Sequence, residues 1–209
     1  MTKFILLSTQ RSGTEMLRRA LDREPDIVCI AEQEELYTEK SINSILKADS
    51  VSTKAIGLKL MMNRCDRSLF KKLKDSEIKV IYLYRELKEI IVSDYINNNK
   101  ELYHGTGHSS VQTKKFKVKM PVDFVEESVR RIMRERDDVV FNLRINYSDI
   151  KPKEGRLLRN TNELCSFMEV KIRPLHTTIV KQNGVVGETV SNLEEYLTTI
   201  NNEISRHEH

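Results

Sequence analysis

The chain has 209 residues, 39% of them apolar and 32% charged, enough for one compact domain with a sizeable core and too apolar for disorder throughout. No apolar run reaches the length of a membrane span, which argues against an integral membrane protein. Lys plus Arg number 35 against 31 Asp plus Glu, a net charge of +4, which suits an anionic ligand but is too weak to argue for nucleic acid.

Lys3–Thr9 is a continuous apolar run bounded by polar residues, the pattern of a strand buried on both faces. The opening Met1–Thr9 is too short for a signal peptide and lacks a cleavage pattern. From Gly13 onward Met16, Leu17, Ala20 and Leu21 make a helical stripe. Asp26–Ile30, Lys54–Met62 and Ile78–Tyr84 read as further strands, and Leu87, Ile90, Ile91 and Tyr95 return to helical spacing. Asn97–Met120 is polar and carries Gly105, Gly107, His104 and four lysines (Lys114, Lys115, Lys117, Lys119), so a lid or excursion is expected there. Val122–Arg136 predicts an amphipathic helix, Val139–Tyr147 a strand, and Arg156–Met168 and Leu193–Ile204 two more helices, with 205–209 a frayed tail. Strands alternating with helices predict an α/β fold: a central, mostly parallel sheet flanked by helices, in a single domain over 1–209. Cys29, Cys65 and Cys165 lie far apart with no CxxC pair, which speaks against a disulfide scaffold or a cysteine-rich zinc site and for a reducing, cytoplasmic compartment. His207 and His209 lack a positioned third metal ligand, and no metal is expected.

Chemistry concentrates where the first strand meets the first helix, in Ser8-Thr-Gln-Arg-Ser-Gly-Thr14. A strand–turn–helix junction offers unpaired backbone N–H groups and the positive helix end to an anion. Gly13 permits close approach, Ser12 and Thr14 add hydroxyls, and Arg11 adds a permanent fork-shaped cation. The alternative is an ordinary helix start capped by Ser12 or Thr14. The nucleotide-kinase loop GxxxxGK[ST] is absent, since no Gly-Lys-Ser/Thr occurs anywhere in the chain.

The segment QRSGTEMLRRALDREPDIVCIAE, beginning at Gln10, resembles the 5′-phosphosulfate-binding segment of sulfotransferases, RSGTTxLxxxLxxHPxxxxxxE, through Pro25 and an acidic residue after the second strand. Both tyrosylprotein and bacterial carbohydrate or lipid sulfotransferases carry that pattern. Four further segments are similar to family motifs in the same order: Gly57-Leu-Lys-Leu-Met61, Lys79–Arg85 with Ser93 eight residues on, Asn146-Tyr-Ser-Asp-Ile150, and Val180-Lys-Gln-Asn183 followed by Asn192–Tyr196.

The resemblance implies transfer of a sulfuryl group from 3′-phosphoadenosine 5′-phosphosulfate (PAPS) to an acceptor hydroxyl or amine by in-line displacement. It implies that Ser12, Gly13 and Thr14 cradle the 5′-phosphate, and that Arg11 neutralises charge on the bridging oxygen. Arg85 and Ser93 would grip the 3′-phosphate, with Lys181 and Gln182 nearby. Glu32 would be the catalytic base, with Glu35 as the alternative. Lys59, on an apolar strand, faces either the transferring sulfonate or solvent from an edge. One residue departs from the pattern: Glu15 replaces the second loop threonine, and its carboxylate would repel a phosphate unless it turns toward Arg19 at i,i+4. Two rival readings are a P-loop-like phosphoryl-transfer kinase and a non-catalytic nucleotide-binding protein. The acceptor is expected to be a carbohydrate, lipid or other hydroxyl compound.

Overall fold

The structure, a computed structural model, describes residues 1–31, 43, 47, 52–65, 67–99, 117–137, 139–152, 156–177, 179 and 186–208. It divides into two compact units, one formed by Met1–Arg85 with Asp138–Val180 and the other by Glu86–Asp137 with Lys181–His209.

The first unit is built on a five-stranded, all-parallel sheet: β1 (Thr2–Ser8), β2 (Ile27–Ile30), β3 (Ala55–Met61), β4 (Lys79–Tyr84) and β5 (Leu143–Asn146), in the order β2-β3-β1-β4-β5. β1 lies at the centre, and its apolar run is buried on both sides because alternate residues enter two cores. Phe4 and Leu6 pack with α1 (Thr14–Leu21) through Met16, Leu17 and Ala20, while Ile5 and Leu7 pack with α2 (Arg67–Lys74) through Leu69, Phe70 and Leu73. The chain runs from β1 to strands on one side and returns through β4 on the other. The carboxyl end of β1 is therefore a topological switch point, where folds of this kind bind ligands.

Two predicted elements are shorter than expected. The strand read over 139–147 is regular only at Leu143–Asn146. Before it the Asn142 side chain accepts from the Val80 N–H at 2.7 Å in place of a ladder carbonyl, and after it Tyr147 begins the helical turn α5 (Tyr147–Ile150). The helix read over 156–168 is confined to α6 (Asn162–Phe167). Asn160 takes a left-handed φ of 47°, and the Leu158 N–H bonds to the Leu175 carbonyl at 2.9 Å beside an isolated bridge of Leu157 to His176, so the segment before α6 pairs with 175–176 instead of coiling.

The second unit is helical: α3 (Leu87–Asn98), α4 (Val122–Arg136), α7 (Val186–Thr189) and α8 (Leu193–His207). The Tyr196 hydroxyl of α8 donates to the Lys88 carbonyl of α3 at 2.6 Å, and Arg131 of α4 meets Asp94 of α3 at 3.0 Å. The tail expected to fray from 205 is helical through His207, whose Nε2 lies 3.0 Å from Asp137 Oδ1. Of the expected excursion, 100–116 falls outside the described residues; Val118 and Met120 are tied to 189–192 by hydrogen bonds. Among the described residues no helix is long and apolar enough to cross a membrane.

Candidate active site

The loop between β1 and α1 turns through two left-handed residues, Arg11 at φ 66° and Gly13 at φ 87°. Gly13 is required twice over. Its φ is strained for any side chain, and a Cβ there would sit 2.4 Å from the Tyr147 ring. Gly13 is the residue before the first turn of α1, and no side-chain hydrogen bond caps the helix, so the capped-start alternative is not what the chain adopts. Within the first turn the Met16 N–H donates back to the Gly13 carbonyl at 3.0 Å, so the N–H groups offered to an anion are those that precede it. The Thr14 hydroxyl instead meets the Ser8 hydroxyl in a buried contact. The Ser12 side-chain oxygen is buried, with the residue 1% exposed, and has no hydrogen-bond partner. A buried hydroxyl without a partner costs stability, and an anion oxygen at the loop would satisfy it.

Arg85, one residue beyond β4, is only 9% exposed. Its Nη1 donates to the Arg11 carbonyl at 2.7 Å, and the guanidinium lies 4.6 Å from the centre of the Tyr147 ring. Arg11, Gly13, Arg85 and Tyr147 thus form one packed group. Tyr147 was not singled out as a site residue from sequence. The signal was present in Asn146-Tyr-Ser-Asp-Ile150, but its partners are more than 60 positions away along the chain.

Lys59 lies opposite Leu6 in the β1–β3 register, on the face covered by α1, and its side chain is 12% exposed. It does not face solvent from an edge strand. Its ammonium is 3.3 Å from Glu15 Oε2. The same carboxylate accepts two bonds from Arg18, at 2.9 and 3.0 Å, and one from Arg19 at 2.7 Å. The i,i+4 contact with Arg19 was expected; those with Arg18 and Lys59 were not. Burial pushes the Glu15 carboxyl up, but hydrogen bonds from Arg18 and Arg19 and the charges of Arg18 and Lys59 outweigh it and hold the group at about 2. Three cations neutralise the carboxylate beside the loop, which answers the concern about phosphate repulsion. Nearby Cys29 is driven up to about 12, chiefly by burial, and is no nucleophile at neutral pH.

Ser93 is half-buried on α3 in the second unit. Glu32, Glu35, His104, Lys181 and Gln182 lie outside the described residues.

Comparison with known proteins gives the geometry its context. A sulfotransferase from Alicyclobacillus acidocaldarius is similar in structure over 99% of this chain and 94% of its own, with a TM-score of 0.59 at 13% sequence identity. The sulfotransferase domain from the curacin biosynthetic pathway aligns over 93% and 85%, at 15% identity and a TM-score of 0.46. No curated protein sequence matches the chain. The sulfotransferase domain family matches residues 1–207. With that match spanning nearly the whole chain, a parallel sheet of the same fold and an anion-ready loop at its switch point, the chain belongs to the sulfotransferase family, enzymes that take a sulfuryl group from PAPS.

Proposed function

We propose that this sulfotransferase moves the sulfuryl group onto the hydroxyl of a carbohydrate, lipid or similar acceptor by in-line displacement, in the cytoplasm, with 1–209 acting as one catalytic domain. The observation that carries the site assignment is the Ser12 hydroxyl, buried and without a partner in a left-handed turn at the start of α1. PAPS supplies a sulfuryl group already activated on a phosphate oxygen. In this reading Ser12 donates to the 5′-phosphate together with the backbone N–H groups of Gly13 and Thr14. Arg11 offsets the negative charge that grows on the leaving oxygen. Arg85 and Ser93 hold the 3′-phosphate, an assignment supported by their family spacing and by the bidentate reach of a guanidinium. Lys181 and Gln182 follow from the resemblance alone. Lys59 contributes positive charge from beneath α1, and Glu32 takes the acceptor proton, with Glu35 as its substitute. The family match from 1 to 207 supports a single catalytic domain, and the wide spacing of Cys29, Cys65 and Cys165, with no CxxC pair, supports a reducing compartment. The kinase alternative has no support, since the chain lacks the Gly-Lys-Ser/Thr that such a loop needs.

Calorimetric titration with 3′,5′-adenosine bisphosphate, AMP and ATP–Mg²⁺ tests the reading. The bisphosphate is expected to bind on the order of tenfold tighter than AMP, the contribution of about one charge-assisted contact. Equal affinity for the bisphosphate and AMP would remove the 3′-phosphate assignment, and no binding of either would remove the site itself. Glu32→Gln is expected to bind the bisphosphate within twofold of wild type while losing about 10²–10⁴ in transfer rate on an acceptor found from a sugar, lipid and phenol panel. Full turnover by Glu32→Gln with loss in Glu35→Gln would move the base three residues on.

A further inference from the structure

We infer that Arg85 is the positioning residue of the phosphate loop: it holds Arg11 in its left-handed conformation and so builds the 5′-phosphate cradle, whether or not a 3′-phosphate is present. The inference rests on the reading of the loop given above and extends it to a role that 3′-phosphate binding alone does not require.

Arg11 carries a β carbon at φ 66°, a conformation that persists only when its surroundings hold it. A visible restraint is the 2.7 Å bond from Arg85 Nη1 to the Arg11 carbonyl, which sets the orientation of the peptide joining Arg11 to Ser12. The next residues depend on that orientation. The Ser12 N–H turns back to the Thr9 carbonyl at 3.3 Å, its buried hydroxyl follows, and Gly13 then takes up its own left-handed turn. Arg85 is itself fixed. Its flat guanidinium lies on Tyr147, and the same ring edge fills the space over Gly13 that any Cβ would claim. Tyr147 therefore touches both ends of the device, one through the Arg85 charge and the other through the Gly13 backbone. A guanidinium has five N–H donors in a fixed plane, so one side chain can serve a backbone carbonyl and an anion together.

The test separates this role from 3′-phosphate binding. AMP has no 3′-phosphate, so a pure 3′ anchor predicts that Arg85→Ala binds AMP like wild type. Positioning predicts a loss of AMP affinity on the order of tenfold, the size of one charge-assisted hydrogen bond, together with a larger loss for 3′,5′-adenosine bisphosphate. Ser93→Ala should weaken only the bisphosphate and leave AMP within twofold. Millimolar guanidinium should restore AMP binding to Arg85→Ala, which a general loss of packing would not allow. If Arg85→Ala does not fold, Arg85→Lys serves: it keeps a cation for the 3′-phosphate, gives up the planar fork, and should still lose AMP affinity. A second readout needs no ligand. The amide resonances of Ser12 and Gly13 in the free protein should shift or broaden in the Arg85 variants and stay in place in Ser93→Ala. AMP affinity within twofold of wild type, or unmoved loop amides, overturns the inference and leaves the proposed function standing. Failure of the wild type to bind either nucleotide sinks the proposed function, while the loop amides still judge the positioning role.

Discussion

Ser12 and Glu15 show opposite ways of placing polar groups around one loop. The Ser12 hydroxyl is buried without a partner, an arrangement that costs the ligand-free protein about 1–3 kcal/mol. Ser12→Ala should therefore leave the melting temperature unchanged or raised, while affinity for 3′,5′-adenosine bisphosphate falls; a variant both less stable and fully binding would contradict the ligand role. Glu15 is over-supplied with partners, and its carboxyl sits at about 2 instead of the ordinary 4.5. A carboxyl lowered by folding stabilises the fold in full above its ordinary value, and that contribution disappears as pH falls through about 2. Glu15→Gln should thus show its largest deficit in urea midpoint at neutral pH, with the gap to wild type narrowing as pH falls below 4.5 and gone only below about 2. A gap that does not change with pH would assign the loss to packing instead of charge. The contact with Arg19 was legible from i,i+4 spacing, but the contact with Lys59, 44 positions away, was not. From sequence alone Glu15 therefore read as a liability.

Local signals located the elements well wherever the competing forces are local. The apolar run of β1 answers to a packed layer on each of its faces and the 3.6-residue stripe of α1 to the sheet it covers, so their patterns were sufficient. The helix expected from Arg156 failed because its first half is claimed by distant pairing, Leu158 to Leu175 and Arg156 to Thr177, which no window around it reveals. The closure of Tyr147 over Gly13 is likewise tertiary. The glycine was legible, but its partner was not. The same kind of contact governs β3, where a Cβ on Gly57 would stand 2.4 Å from the Phe4 ring in a fully buried core. Gly57→Ala must push that ring aside, and overpacking of this kind costs about 1–3 kcal/mol. Urea unfolding should report that loss with bisphosphate affinity unchanged within twofold, since the ligand end of β1 is four residues further on; a variant as stable as wild type would mean that the core gives way without cost.

The sheet-bearing unit is assembled from two separated stretches of chain, and its fifth strand arrives only after the whole of 86–137 has been made. During synthesis β1 to β4 can pair as soon as they emerge, but the outer edge of β4 then waits for β5, roughly 60 residues later, or about 3–12 s at ~5–20 residues per second. Throughout that interval the edge of β4 that β5 will cover, Ile81 to Tyr84, leaves N–H and C=O groups open to any neighbouring nascent chain. Ribosome-bound chains halted with β4 but not β5 outside the exit tunnel should be captured by chaperones and cut readily by protease, and both susceptibilities should drop once Leu143–Asn146 clears it. Codon choice over 86–137 would then set how much of the enzyme survives its own manufacture.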